Sequence, residues 1–277
     1  MHITNKQDEE TNENDIIVMG VPLDGNSSYK RGAASAPEKI REALYCQSAN
    51  LSTENRDDLG AMSGWHIMPD LVLSDREEAF ERIEAETDAF LKKKLKVIAL
   101  GGDHSITLPV IRSYAKQSPH LNILDLDAHP DLYDELDGNR YSHACPFARI
   151  MEEKLVKRLV QVGIRTMTKH QYEQAQRFGV EVIEMRNIEQ TKKLAFDGPV
   201  YVSLDMDCLD PAFAPGVSHH EPGGMSTREV LEIIQNLNGD IVGADIVEFN
   251  PERDINDMTG MVAAKFLKEL IAKLMVN

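Results

Sequence analysis

Three side chains that commonly bind metals stand together after an apolar run, and they are the strongest chemical signal in the sequence. Asp127, His129 and Asp131 follow the run 121–126 at alternate positions. On an extended backbone this spacing directs all three side chains to one side. Imidazole nitrogen and carboxylate oxygen bind divalent transition metals, so the stretch predicts a metal site. The alternative is a polar strand end before a turn at Pro130, where Asp is also common.

Acidic or imidazole side chains also follow three other apolar runs, and each group stands at the carboxyl end of its run. Short apolar runs that alternate with helical patterns are typical of a parallel sheet covered by helices on both faces. Such sheets bind ligands at the carboxyl ends of their strands. We therefore expect one shared site at this edge, built from Asp127, His129 and Asp131 together with Asp103, His104, Asp205, Asp207 and Glu248.

The elements that would position these groups form one α/β domain over residues 16–277, after a flexible lead-in over residues 1–15. About eight strands are expected, and the sequence contains no linker or internal repeat that would divide them. The apolar runs lie at 16–21, 97–100, 121–126, 159–162, 180–183, 200–204 and 241–247, with a short strand near His66.

The composition excludes several classes of protein. A net charge of −16 argues against a nucleic-acid surface, which requires a basic patch. The charge is compatible with a cationic substrate, although a solvated acidic surface also accounts for it. The sequence has no apolar run of transmembrane length, and its polar N-terminus lacks the apolar core of a signal peptide. The three cysteines form no CxxC pair and fit a reducing compartment, so we expect a cytoplasmic protein with no membrane or nucleic-acid partner.

The six candidate ligands comprise two imidazoles and four carboxylates. Four carboxylates packed closely together would repel one another and would be costly to desolvate unless cations compensate their charge. The set contains no thiolate, so it favours Mn²⁺, although Zn, Fe, Co or Ni would also fit. The six residues are His104, Asp127, His129, Asp131, Asp205 and Asp207.

Three segments of the chain resemble, in order, the signature segments of the ureohydrolase family, which includes arginase, agmatinase and formimidoylglutamase. The resemblance extends from Gly20 to Pro251 and implies a three-layer α/β/α fold with an eight-stranded parallel sheet. It also implies an enzyme that cleaves a guanidino group to urea and an amine, assembled as a trimer or hexamer. The segments are Gly101-Gly102-Asp103-His104-Ser105, Asp127-Ala128-His129-Pro130-Asp131 and Ser203-Leu204-Asp205-Met206-Asp207-Cys208-Leu209-Asp210-Pro211.

The resemblance further implies two Mn²⁺ ions per chain and a role for each ligand. Two adjacent cations lower the pKa of a water between them and make a nucleophile available at neutral pH. Asp131 would also stabilise the tetrahedral intermediate and relay a proton. One ion would be held by His104, Asp127, Asp131 and Asp205, and the other by His129, Asp207, Asp127 and Asp205, with Asp127 and Asp205 shared.

Two more residues take catalytic and substrate-binding roles through the same resemblance. His143 matches a proton-shuttling histidine, a task that suits an imidazole pKa near neutrality, although by itself it reads as a surface loop residue. Glu248 matches the glutamate that pairs with the substrate guanidinium, and its alternative is a surface salt bridge at a strand end. Asp103 is expected to be structural.

The loop 132–147 resembles agmatinase rather than arginase. Tyr133 stands where arginases carry an Asn that helps to bind the α-carboxylate, and Thr166 stands where they carry an Asp for the α-ammonium. Both anchors for an amino acid are therefore replaced, which favours agmatine as the substrate and putrescine, a polyamine precursor, as the product. His219 replaces a Thr that borders the guanidinium in agmatinases, and it either contacts the substrate or packs the loop.

Other substrates and other classes remain as alternatives. Guanidinobutyrate, arginine or formimidoylglutamate would use the same chemistry, and the substitution at His219 leaves the choice open. A single-zinc deacylase of a related fold would lack the full set of six ligands. A non-catalytic paralogue would be expected to have lost ligands or His143, and all of these are present.

Overall fold

Eight strands form one parallel sheet in the structure, a computed structural model that describes residues 11–74 and 76–276. The strand order is β2-β1-β3-β8-β7-β4-β5-β6, and all seven neighbouring pairs are parallel. The predicted α/β fold with an eight-stranded parallel sheet is confirmed. The strands are β1 (Ile16–Val21), β2 (Trp65–Ile67), β3 (Lys96–Gly101), β4 (Asn122–Leu126), β5 (Arg158–Ile164), β6 (Glu181–Glu184), β7 (Ala195–Asp205) and β8 (Asn238–Val247).

Seven helices cover the two faces of the sheet in the described residues and complete three layers. One face packs against α1, α6 and α7, and the other against α2, α3, α4 and α5. The helices are α1 (Ala36–Leu44), α2 (Arg76–Lys92), α3 (Thr107–Gln117), α4 (Pro146–Glu152), α5 (Lys169–Phe178), α6 (Thr227–Asn236) and α7 (Met258–Val276).

The alternation of side chains along each strand explains why both faces are apolar. In β1, Ile16 and Val18 pack on one face of the sheet, whereas Ile17 and Met19 pack on the other. All four are fully buried. Burial of one such side chain contributes about 1.5–3 kcal/mol relative to leaving it exposed. Continuous apolar runs are therefore what a sheet covered on both sides requires.

Capping boxes in the sequence set the starts of two helices. A capping box of Ser226 with Glu229 opens α6, and a second box, of Thr168 with Gln171, opens α5. Helix α4 begins at Pro146 without a side-chain cap. Its seven residues carry too little periodicity to be recognised, although Phe147 is fully buried beneath the site.

The ends of the chain are described only in part. Residues 1–10 of the predicted lead-in lie outside the described residues, and the backbone N–H of Asn14 donates to the Lys94 carbonyl oxygen at 2.8 Å. Within the described ranges, no helix combines the length and apolar character needed to cross a membrane.

The crossover between β3 and β4 creates the site. After β3 the chain passes through α3 and returns as β4, with β8 and β7 lying between the two strands. The loops that follow β3, β8, β7 and β4 therefore leave four adjacent strands at the same edge. A crevice opens at such a switch point, and it is where α/β sheets bind ligands.

Candidate metal centre

His104 is the centre of the first ligand cluster. It follows β3 and is fully buried. Its Nδ1 atom lies 3.3 Å from Asp127 Oδ2, 3.1 Å from Asp131 Oδ2 and 3.2 Å from Asp205 Oδ2. One imidazole nitrogen and three carboxylate oxygens thus converge from the ends of three strands. This set of atoms suits one divalent cation.

The second cluster lies around His129 and shares Asp127 with the first. The Nδ1 atom of His129 lies 3.0 Å from Asp207 Oδ2 and 3.6 Å from Asp127 Oδ1. The His129 side chain is 27% exposed, so this cluster faces the opening of the crevice. Asp205, predicted to be the second shared ligand, lies against His104, and its bridging role stays a prediction.

Backbone hydrogen bonds explain why one oxygen of each carboxylate points into the site. Asp127 Oδ1 accepts from the N–H of His129 at 2.6 Å, and Asp205 Oδ1 accepts from the N–H of Asp207 at 2.8 Å. Asp207 Oδ1 accepts from the N–H of Ala128 at 3.2 Å. These backbone bonds, two of them local, occupy one oxygen of each carboxylate. The Oδ2 atoms remain directed at the two imidazoles.

The atoms of the first cluster lack the partner that a cation would provide. His104 Nδ1 and Asp127 Oδ2 are buried and hydrogen-bond to no group in the described part of the chain. Burial, together with the charges of Asp207 and Asp131, raises the pKa of Asp127 to about 6. Burial and the charge of Asp207 also raise the pKa of Asp205 well above its ordinary value. Buried like charges are costly, so the donor set fits divalent cations such as Mn²⁺.

Attraction rather than repulsion dominates the second cluster. Burial alone would lower the pKa of His129, but Asp207 and Asp127 outweigh it and raise this pKa to about 12. Burial likewise acts to raise the pKa of Asp207, but His129 outweighs it and holds this pKa below its ordinary range. A metal ion would therefore have to displace a proton from His129 in order to bind.

Two site residues have a left-handed backbone where their strands give way to loops. Asp131 has a φ of 47° and Glu248 has a φ of 62°. Such a conformation is uncommon outside glycine and costs about 1–3 kcal/mol. The N–H of Glu248 donates to the Gly102 carbonyl oxygen at 2.9 Å, which ties the end of β8 to the loop after β3. The backbone bend turns the Glu248 side chain toward His104, whose N–H donates to Oε1 at 2.9 Å.

His143 and Glu248 form a buried pair beside the clusters. His143 Nδ1 lies 2.9 Å from Glu248 Oε1, and both residues are less than a tenth exposed. Burial would lower the pKa of His143, but the Glu248 charge outweighs it and raises the pKa to about 9. In return, burial would raise the pKa of Glu248, but His143 outweighs it and lowers this pKa. The second nitrogen of His143, Nε2, lies 2.8 Å from the Oγ of Ser28.

His219 connects the two parts of the site. Its ring centroid lies 5.1 Å from that of His143 and 6.1 Å from that of His129. On its other side the ring lies 5.7 Å from Tyr29, which is exposed. Burial lowers the pKa of His219, and the charge of His143 lowers it further. A neutral imidazole therefore lines the crevice between the metal ligands and the solvent.

Comparison with known proteins agrees with this geometry. A model of the Arginase family matches residues 14–272. The chain belongs to the arginase family. It is 47% identical over 274 residues to the Arginase 1, mitochondrial, of Oryza sativa subsp. indica, which covers 93% of this chain and 81% of the rice protein. It is 31% identical to the guanidinobutyrase of Pseudomonas aeruginosa, over 94% of this chain and 86% of that protein.

A solved structure in the arginase family has the same architecture. The arginase from Medicago truncatula superposes with a TM-score of 0.89 at 44% identity, over 94% of this chain and 87% of that chain. The ureohydrolase resemblance and the three-layer fold are therefore confirmed. The preference for agmatine over arginine is not confirmed, because the rice and Medicago relatives carry the name arginase and the Pseudomonas relative the name guanidinobutyrase.

The arginase-family site also uses residues that the sequence analysis did not single out. Asn26 accepts from the N–H of His143 through its carbonyl oxygen at 3.1 Å, and its own N–H donates to Asp103 Oδ2 at 2.9 Å. Ser28 bonds to the ring of His143. Both lie in the polar loop after β1, so the rule that polar loops follow strand ends would have identified them. Asp103 is fully buried, and its structural role stays a prediction.

The two positions used to infer the substrate lie on loops at the same edge. The Tyr133 ring stacks on the His170 ring, with 5.9 Å between the two ring centroids and an angle of 15° between the two ring planes. The N–H of Thr166 donates to the Ala128 carbonyl oxygen at 3.3 Å, within the central metal-ligand segment.

Proposed function

We propose that this arginase-family protein hydrolyses a small cationic guanidino compound to urea and an amine. The observation that carries the proposal is the pair of imidazole–carboxylate clusters that share Asp127 beside the buried pair of His143 and Glu248. Anionic ligands for two cations and a separate carboxylate for a guanidinium are the parts that this reaction needs.

The six ligands would hold two Mn²⁺ ions, in the sets inferred from the sequence. When bound, the ions would compensate the carboxylate charge and acidify a water molecule. Asp127 would belong to both positions, and Asp205 is proposed as the second shared ligand. Asp131 has one oxygen in the first cluster, and we assign it the additional task of receiving a proton during the reaction. The six residues are His104, Asp127, His129, Asp131, Asp205 and Asp207.

The remaining side chains would bind and protonate the substrate. Glu248 offers a buried carboxylate to the guanidinium and fixes its orientation. A protonated His143 carries a proton on Nδ1, next to the same carboxylate, and would deliver it to the departing nitrogen. His219 supplies a ring face beside this pair, and we propose that it contacts the substrate.

Arginine is the substrate that we propose first. The rice and Medicago relatives, both named arginases, share 47% and 44% of their residues with this chain, against 31% for the guanidinobutyrase. Agmatine is the second candidate, because Tyr133 and Thr166 replace the amino-acid anchors of arginases. A trimeric or hexameric assembly and a cytoplasmic location remain predictions.

The test is a substrate panel on protein reconstituted with Mn²⁺. Urea release is measured with arginine, agmatine and 4-guanidinobutyrate, and we expect the highest kcat/KM for arginine. A higher kcat/KM for agmatine would support the second candidate and the sequence-based prediction. Asp127→Asn is the inactive control, and Asp134→Asn, which changes an acid outside the clusters, is the matched active control. Absence of urea from every substrate would refute the proposed function.

A further inference from the structure

One buried carboxylate near the site has no part in the proposed chemistry. Asp245 lies in the apolar strand β8 and is fully buried. Its Oδ1 accepts from Ser203 Oγ at 2.7 Å, and its Oδ2 accepts from Thr107 Oγ1 at 2.8 Å and Tyr201 Oη at 3.0 Å. A buried carboxylate that recruits three hydroxyl donors is expensive to desolvate, so its retention in an apolar strand calls for a role.

The hydrogen bond between Ser203 and Asp245 determines the direction of the hydrogen bond between Ser203 and His104. Ser203 Oγ lies 3.0 Å from His104 Nε2. A hydroxyl has one proton, and Ser203 donates that proton to the carboxylate of Asp245. Its oxygen must therefore accept from His104, which places the imidazole proton on Nε2. The lone pair of a neutral His104 is then on Nδ1, the atom that faces the first ligand cluster.

This tautomer is unfavourable unless a cation is present. A bare Nδ1 would face three carboxylate oxygens at 3.1–3.3 Å, and lone pairs at that distance repel one another. A cation placed among the four atoms turns the same arrangement into a coordination shell. The hydrogen bond from His104 Nε2 to Ser203 thus holds the ring in an orientation that suits a metal ion at Nδ1.

We propose that Ser203 and Asp245 are positioning residues that present His104 Nδ1 to the metal ion of the first cluster. The proposal rests on the proposed two-metal function. Carboxylates and hydroxyls commonly hold a ligating imidazole in this way, and their loss weakens metal binding about 10- to 100-fold. Asp245 therefore acts through Ser203 and His104 without touching the metal or the substrate.

The register of the sheet connects the hydrogen bonds of Asp245, Ser203 and His104 to the rest of the site. Ser203 and Asp245 are direct partners across β7 and β8. Ser203 stands two residues before the ligand Asp205, and Asp245 stands three residues before Glu248. Because Glu248 Oε1 also accepts from the His104 N–H, both the ring and the backbone of His104 are held from β8.

Three variants separate a positioning role from a merely structural one. Ser203→Ala removes the link to His104, and Ser203→Thr restores the hydroxyl. Thr107→Val removes a different bond to the same carboxylate and leaves the link intact, so it is the matched control. The test changes the hydroxyls of Ser203 and Thr107 rather than Asp245 itself, because Asp245→Asn could prevent folding.

The measurements are Mn²⁺ binding by calorimetric titration of the metal-free chain and the imidazole ¹⁵N shifts of His104. Ser203→Ala should weaken one of two Mn²⁺ sites about 10- to 100-fold and shift the proton away from Nε2. Ser203→Thr should recover both properties, and Thr107→Val should lower stability without changing Mn²⁺ affinity. Unchanged affinity in Ser203→Ala, or equal weakening in Thr107→Val, would overturn the proposal. A wild-type chain that binds two Mn²⁺ but releases no urea would refute the proposed function and leave this inference intact.

Discussion

The pair of Glu248 and His143 provides the sharpest test of the proposed chemistry. Glu248→Gln keeps the shape of the side chain but removes the charge that the guanidinium would meet. A hydrogen bond to a charged group contributes about 1.5–3 kcal/mol, which corresponds to a loss of about 10- to 150-fold in kcat/KM. The Glu248 side chain is only 5% exposed, so solvent screens the interaction little, and the upper half of this range is expected. The loss should divide between KM and kcat, because a tilted guanidinium also reacts more slowly.

The same substitution should change the pH dependence of kcat in a definite direction. Burial opposes protonation of His143, but Glu248 outweighs it and raises the pKa to about 9, so the imidazolium persists below that pH and is lost above it. Without the carboxylate the pKa of His143 falls. The limb of the kcat profile on which activity declines with rising pH should therefore move to lower pH in Glu248→Gln.

His143→Asn supplies the contrasting result. It removes a proton donor that acts in the transition state, so kcat should fall about 10²- to 10⁴-fold with a smaller change in KM. Steady-state urea assays across pH 6–10 measure both variants, and Glu252→Gln, an exposed acid four residues further along, is the matched control. Both variants should keep two Mn²⁺ ions. A His143→Asn protein with near-normal kcat and lost metal would refute the assignment of roles.

Five other perturbations test the metal site, a surface ion pair and a buried guanidinium. Asp127→Asn should reduce the manganese content at both positions and His129→Asn at one, and equal losses by elemental analysis would contradict a shared carboxylate. In the metal-free protein, the contribution of Asp127 to the free energy of unfolding should fall as pH rises from about 4 to 6, because the folded state binds a proton on Asp127 more tightly than the unfolded chain does. Urea titrations measure this trend, and saturating Mn²⁺ should abolish it. Glu54→Gln should lower the free energy of unfolding by at most about 1 kcal/mol at pH 7. The Glu54 carboxylate is partly exposed and accepts two hydrogen bonds of 2.7 Å from the Arg228 guanidinium. These bonds lower the pKa of Glu54 to about 2, so the difference from wild type should be present at neutral pH and disappear as pH falls toward that value. Arg149→Met should lower the free energy of unfolding by about 1–3 kcal/mol, because the Arg149 side chain is 4% exposed and its guanidinium donates to two loop carbonyl oxygens. An unchanged denaturant midpoint would show that these bonds do not stabilise the fold.

The parts of the fold and site that the sequence predicts are those that depend on local spacing. The i, i+2 placement of Asp127, His129 and Asp131 after an apolar run predicts three ligands at one strand end. The structure brings them there although β4 ends at Leu126 and Asp131 has a φ of 47°. The rule that parallel strands share an edge then brings His104 and Glu248 to the same place. No knowledge of the strand order is needed for either step.

The parts that were not predicted depend on contacts between distant segments. The hydrogen bonds that connect Asp245 through Ser203 to His104 require β7 and β8 to be neighbours in a particular register, which no local sequence pattern reveals. A carboxylate inside the apolar run 241–247 was the available signal, since buried strands rarely keep an unpaired acid. The contact of Ser28 with His143 likewise depends on how two loops fold over each other.

The position of β8 in the sheet has a consequence for biosynthesis. This strand is the last to be made, yet it lies between β3 and β7 and is the only strand of the described sheet that joins β2-β1-β3 to β7-β4-β5-β6. His104 belongs to the first group, and the other five proposed ligands belong to the second. A nascent chain that ends before residue 238 therefore has two separate half-sheets, each with an open edge that invites aggregation. The ligands proposed for the first metal position cannot come together until β8 has been made, so metal uptake there would be coupled to completion of the chain.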